Sequence, residues 1–147
     1  MAYHLIRIKI VLIMEITRQT DYAIRCVLYL SGKQDQPTVV DEIAHEMSIP
    51  KSFLSKIVQK LSRADILESF RGSKGGFKLA RKPAEISLLD VIEAMQGTAA
   101  ANKCAVDKAQ CNLSCTCIVH PVWIELRKQT EDYLRGINFG NLDPEAY

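Results

Sequence analysis

Pro50 is the position that most narrows what this chain can fold into. A proline has no N–H to donate and is tolerated in a helix only in the first turn. Behind it, Val40 to Met47 places Ile43, Ala44 and Met47 at helical spacing and breaks at Ser48-Ile49-Pro50. Ahead of it, Lys51 to Arg63 gathers Phe53, Leu54, Ile57, Val58 and Leu61 on one side. The other side shows Lys51, Ser52, Ser55, Lys56, Gln59 and Lys60. Two short helices joined by a tight turn, the second with a basic polar face, predict a helix-turn-helix.

The flanking segments extend that reading. Thr17 to Ser31 predicts a helix whose core face is Tyr22, Ala23, Cys26, Val27 and Leu30, closed by Gly32. On that face Cys26 reads as a small buried hydrophobe rather than a ligand. A turn through Gln34–Pro37 leads into the helix-turn-helix. Beyond it, Ile66–Arg71 and Phe77–Arg81 read as strands around Gly72-Ser73-Lys74-Gly75-Gly76, where glycine permits a tight hairpin. A basic hairpin placed directly after a helix-turn-helix is a wing, able to reach phosphates or the minor groove; by itself the glycine run marks only a turn.

Ser87 to Gln96 predicts a further helix, with Ser87 and Asp90 at capping-box spacing and Gly97 as its stop. Pro121 opens a last helix to about Gly136. Its Trp123, Leu126, Thr130, Tyr133 and Ile137 step by three and four, a seam suited to packing on a second helix. The small amino-terminal module has little surface to cover so long a helix, which favours a homodimer over packing on the chain's own body. The expected architecture is mainly α with a small β-hairpin: a winged helix-turn-helix plus a long carboxy-terminal dimerisation helix. The divisions are an extension or mis-assigned start over 1–13 (Met14 being the alternative initiator), the winged module over 14–82, and a connecting helix over 83–97. A cysteine-rich loop follows over 98–120, then the dimerisation helix and tail over 121–147.

Charge agrees with this layout. The whole chain carries a net +2, but Lys51–Lys82 holds nine basic and two acidic residues, +7, which leaves 2 − 7 = −5 for the remainder. A strongly basic third on an acidic remainder is the footprint of a polyanion-binding surface, although charge alone also fits a solvated face. The apolar run before Met14 is short and interrupted by Arg7 and Lys9, so neither a membrane span nor a cleavable leader is expected.

The other concentration of chemistry lies in the polar segment between Gly97 and Pro121, which has no amphipathic period. Cys104, Cys111, Cys115, Cys117 and His120 fall within seventeen residues of it. Thiolates select zinc, copper(I) and iron–sulfur clusters over hard cations. The five cysteines of the chain are odd in number and clustered, unlike a disulfide framework. A cytoplasmic location, where thiols stay reduced, suits them. A thiol enzyme is disfavoured: there is no Cys-x-x-Cys pair and no carboxylate–histidine pair near the cysteines for general-base work. No small-molecule substrate is expected.

Thr20-Asp21-Tyr22-Ala23-Ile24-Arg25, Ile49-Pro50-Lys51-Ser52-Phe53-Leu54, Arg71-Gly72-Ser73-Lys74-Gly75-Gly76-Phe77 and Cys117-Ile118-Val119-His120-Pro121-Val122-Trp123, in this order, resemble the Rrf-two family of bacterial winged-helix transcriptional regulators. The resemblance runs from Met14 to Leu142 and is to the cluster-binding branch. It implies an iron–sulfur cluster held by Cys104, Cys111, Cys117 and His120. Cys115 departs from the pattern, as a substitute for Cys111 or Cys117 or as a bystander. A two-iron cluster would take His120 as fourth ligand. A four-iron cluster would take a carboxylate from the partner subunit's first helix, at the position of Asp21. Asp21 also reads as an ordinary solvent-facing residue near a helix start, so the cluster type stays open. The same Cys3His set suits structural zinc, against which the five- and six-residue gaps argue mildly.

The resulting expectation is a homodimer reading a pseudo-palindromic double-stranded DNA operator under control of the cluster, which responds to iron–sulfur status, redox or nitric oxide. Lys51, Ser52 and Ser55 approach base edges, Lys56 and Lys60 meet phosphates, and Arg71, Ser73 and Lys74 form the wing contact. The competing expectation keeps the DNA-binding half with zinc or no metal, sensing a metabolite or protein partner.

Overall fold

The computed structural model describes residues 15–33 and 36–142. The anticipated extension over 1–13, Met14, Gln34 and Asp35 of the first turn, and the tail beyond Leu142 lie outside these residues.

Helix α1 spans Arg18–Ser31. Thr17 caps it, its hydroxyl accepting the N–H of Thr20 at 3.2 Å. The predicted face is buried at Ala23, Cys26, Val27 and Leu30, with Tyr22 half-buried. Gly32 ends the helix as expected, but at φ −87°, a conformation open to any residue. Helix α2 covers Val40–Glu46. The chain then corners at Ser48, in the left-handed region at φ 52°, and the Ile49 N–H reaches back to Ala44 O at 2.9 Å. Helix α3, Lys51–Arg63, has the predicted bounds and buries Leu54, Ile57, Val58 and Leu61.

Phe53 departs from the expectation of a core residue: it is 43% exposed. A helix turns about 100° per residue, so Phe53 sits on the shoulder of the stripe centred on Leu54 and Leu61. There it meets Tyr22 of α1 edge-on, ring centroids 6.2 Å apart.

Strands β1 (Leu67–Phe70) and β2 (Gly76–Leu79) pair antiparallel with Leu67 opposite Leu79 and Phe70 opposite Gly76, a shorter ladder than the sequence runs. Thr38 bridges antiparallel to β2, exchanging hydrogen bonds with Phe77 at 2.9 and 2.8 Å. Helix α4 is Leu88–Gln96. Ser87 and Asp90 form the expected reciprocal cap, at 2.8 and 3.1 Å.

Helix α5 runs His120–Gly136 and contains no fully buried residue. The chain then returns to the winged module instead of trailing away. Leu88 N donates to Ile137 O at 2.9 Å, Phe139 N donates to Ile86 O at 3.0 Å, and the Phe139 ring is 1% exposed in the core. Ile137 therefore caps the helix and pairs through its backbone with Leu88. One core joins α1, α3, α4, the hairpin and Phe139. Among the described residues, no helix is long and apolar enough to cross a membrane.

Candidate nucleic-acid interface and cysteine loop

The basic groups named from the sequence lie mostly on the surface. Lys51, Ser52, Lys56, Lys60, Arg71, Ser73 and Lys74 are exposed, and Ser55 is half-buried. Three of the recognition-helix groups have intramolecular engagements. Lys51 pairs with Asp41 of α2 across the turn. The Ser55 hydroxyl donates to Lys51 O at 3.0 Å, and Lys60 Nζ reaches Met95 O at 3.4 Å. These are exposed or long contacts that cost little to exchange for phosphates. At the wing, Gly76 has φ +148°, and a Cβ there would lie 2.5 Å from Thr38 O, so close approach of the Thr38 segment requires glycine.

The loop that follows Gly97 is folded by local hydrogen bonds, in two short 3-10 turns at Lys103–Ala105 and Lys108–Gln110. Ser114, 6% exposed, donates its hydroxyl to Cys111 O at 2.8 Å. The carboxylate of Asp107 is held below its usual pKa because it accepts from the Ala109 N–H and from Gln110. Cys117 N donates to Leu113 O at 2.8 Å, and His120 N to Cys117 O at 3.2 Å, which leads directly into α5.

The ligand candidates occupy different environments. Cys104 is buried, Cys111 and Cys117 are half-buried, and Cys115 is exposed. His120 is half-buried, yet its Nδ1 is buried without a hydrogen-bond partner. An orphaned ring nitrogen costs free energy unless something coordinates it, and at the end of a cysteine-bearing loop the matching partner is a soft or borderline metal. The donor set therefore fits the chemistry of a cluster or of zinc. The geometry is not assembled within one chain: among the described residues, no three Cys, His, Asp or Glu side chains converge on one centre. Asp21, the alternative fourth ligand, is paired with Arg25 at 2.8 Å and is roughly two-fifths exposed, its side chain at 42%.

Two arrangements had no signal in the motifs. Gln96 at the end of α4 accepts from Thr17 N and from the Thr20 hydroxyl. Arg127 of α5 donates to Ala105 O, next to Cys104, and to Glu131. Only the Arg127–Glu131 spacing of four was visible beforehand, as an ordinary helix pair.

A helix-turn-helix followed by a basic hairpin, with a cysteine loop leading to a long helix, defines a winged-helix DNA-binding regulator. The chain belongs to the Rrf2 family, described as iron-dependent transcriptional regulator, whose pattern matches residues 16–143. It is a DNA-binding transcriptional regulator, as that family is, and not an enzyme. It is 32% identical over 130 residues to the HTH-type transcriptional regulator IscR of Aliivibrio salmonicida (strain LFI1238), covering 88% of this chain and 77% of that one. Among solved structures, T. potens IscR superposes with a TM-score of 0.69 at 21% identity, covering 86% of this chain and 84% of the other. CymR, the global cysteine regulator of B. subtilis, superposes with a TM-score of 0.70 at 22% identity, covering 86% and 94%. At such identities the two structures establish the fold.

Proposed function

We propose that this regulator is a homodimer whose operator binding is controlled by an iron–sulfur cluster held in the cysteine loop. The observation that carries the reading is the buried, unpartnered Nδ1 of His120 at the head of α5, on a loop that also supplies Cys104, Cys111 and Cys117. These four residues would hold the group, with Asp21 of the partner subunit as the alternative to His120. When bound, the cluster would supply iron that oxygen, nitric oxide or iron shortage removes or alters.

This chain's own residues do the rest. The loop joins α4 to α5, so the state of the cysteines bears on how α5 is held against the winged module. A homodimer joined through the α5 face bearing Trp123, Leu126, Thr130 and Tyr133 would carry two recognition helices, whose separation depends on that hold. Lys51 and Ser52 would meet base edges, and Lys56, Arg71, Ser73 and Lys74 the backbone.

The test is iron, sulfide and zinc analysis with visible absorption on protein purified without oxygen, repeated on His120→Ala, together with operator binding before and after cluster removal. Matched iron and sulfide, altered by the substitution, with a change in operator affinity on removal, is the expected result. One zinc per chain, or equal operator affinity with and without the cluster, overturns the reading and favours a zinc-stapled or metal-free regulator.

A further inference from the structure

Cys104 is unlike the other cysteines of the loop. It is 8% exposed, and its neighbour Ala105 is 3% exposed, although both lie on a 3-10 turn of only three residues in an otherwise solvent-facing segment. A turn so short does not bury itself. Its own bonds, such as Val106 N to Lys103 O at 3.0 Å, tie the turn together but anchor it to nothing else.

The anchor comes from α5. Arg127 NH1 donates to Ala105 O at 2.7 Å across 22 residues of sequence, while its Nε donates to Glu131 Oε1 at 2.6 Å. The side chains of Arg127 and Glu131 are only 30% and 17% exposed, which sets the pair apart from the other salt bridges among the described residues. A buried carbonyl needs a donor. A planar guanidinium can serve the carbonyl and the carboxylate together through its fixed fork, which an ammonium cannot do. Glu131, one turn further along, holds the fork in register.

We infer that Arg127, braced by Glu131, is a positioning residue for Cys104: it fixes the turn carrying this thiol to the long helix and so presets one ligand of the loop. Groups that orient the ligands of a metal site typically change its affinity by about 10–100-fold when removed. The inference deepens the cluster reading, but its geometric half stands without any metal.

The experiment separates the two. Metal-free, reduced full-length protein is alkylated with N-ethylmaleimide, and the rate at each cysteine is followed by peptide mass spectrometry. Cys26, buried in the core of the winged module, serves as the internal reporter of global unfolding. Arg127→Ala is expected to raise the Cys104 rate about tenfold, the size expected for leaving one buried carbonyl unpaired, with the Cys26 rate unchanged. Arg127→Lys, which keeps the charge and loses the fork, is expected to restore less than half of the protection. An unchanged Cys104 rate in Arg127→Ala, equal rises at Cys104 and Cys26, or full rescue by lysine would each overturn the assignment. In a second arm, the cluster of the reconstituted variant should bleach faster in air than wild type, by about tenfold or more. A chain that takes up no cluster in either form defeats the proposed function, while the alkylation result still decides the role of Arg127.

Discussion

The hydroxyl of Thr20 donates to Gln96 Oε1 at 2.7 Å, joining the first turn of α1 to the last residue of α4 over 76 positions. The same oxygen accepts from Thr17 N at 3.1 Å, so one amide side chain holds the start of the winged module against the point where the cysteine loop departs. Thr20 is fully buried, whereas Gln96 is exposed. Thr20→Val keeps the shape and removes the donor, and water can reach the abandoned Gln96 oxygen. The expected loss is therefore modest, about 1 kcal/mol in urea unfolding. A double-mutant cycle with Gln96→Ala should return most of that as coupling; purely additive losses would show that the pair does not act as a unit.

At the wing, two glycines with positive φ should behave differently. Gly72, at φ +98°, faces open space where a Cβ would stand, so Gly72→Ala bears only backbone strain, about 1–2 kcal/mol. Gly76→Ala adds a 2.5 Å collision with Thr38 O and must break the Thr38–Phe77 rung. It should cost clearly more, about 3 kcal/mol or above. Equal losses for the two variants in denaturant titrations would contradict the close approach of Thr38.

Much of this was readable from local pattern. The bounds of α3 follow from Pro50 and from an apolar stripe that ends at Leu61, and the Ser87–Asp90 cap follows from spacing alone. Phe53 was misjudged because period identifies a face but not its shoulder, where an aromatic on α1 supplies a partner. The return of Ile137 to Phe139 onto Ile86 and Leu88 was missed because a three-residue bridge has no period to detect. The ligand candidates of the loop were legible as residue types. Which of them is buried was not, because Cys104 owes its place to an arginine 23 residues away in sequence.

Protein–DNA affinity should report the exposed cations individually. Lys56 is exposed on α3, and Arg71 is exposed at the start of the wing. Each contact to a phosphate releases counterions, so Lys56→Ala or Arg71→Ala should reduce the slope of log affinity against log salt by about one unit. The loss should be similar on operator and on unrelated DNA. A slope unchanged for Arg71→Ala across a salt series would remove the hairpin from the interface.

Cys26 gives a pH signature. Burial pushes its thiol up to about 12 from an ordinary 9.0. In the unfolded chain the thiol ionises near 9, while in the folded chain it stays protonated, so between these values the unfolded state binds fewer protons. Stability is accordingly undiminished below pH 9 and falls as pH rises above it, by about 1.4 kcal/mol per unit for this group. Cys26→Ala is less stable at pH 8 through lost packing. Comparing the two proteins by urea unfolding from pH 8 to 10.5, the gap should narrow as pH rises. A gap that stays constant would mean that the thiol is hydrated in the folded protein.

The face of α5 tests the assembly. Val122 is 57% and Tyr133 71% exposed, and Pro121, Val122, Glu125, Leu126 and Gln129 line an open groove whose walls are mostly apolar. A helix of 17 residues with no fully buried position leaves much of its surface to a partner, while its packing on α4, the Arg127 bond to the loop and the bridge past Gly136 tie it to its own chain. If a second copy covers this face, a charge placed there must be desolvated on association. Val122→Glu should then convert the dimer to a monomer at micromolar concentration, seen as a halved mass in light scattering, while the far-ultraviolet spectrum is preserved. Operator affinity should fall by at least about tenfold, since each half-site would be held by a single module. A variant that keeps wild-type mass and wild-type operator affinity would place the dimer contact elsewhere on the chain.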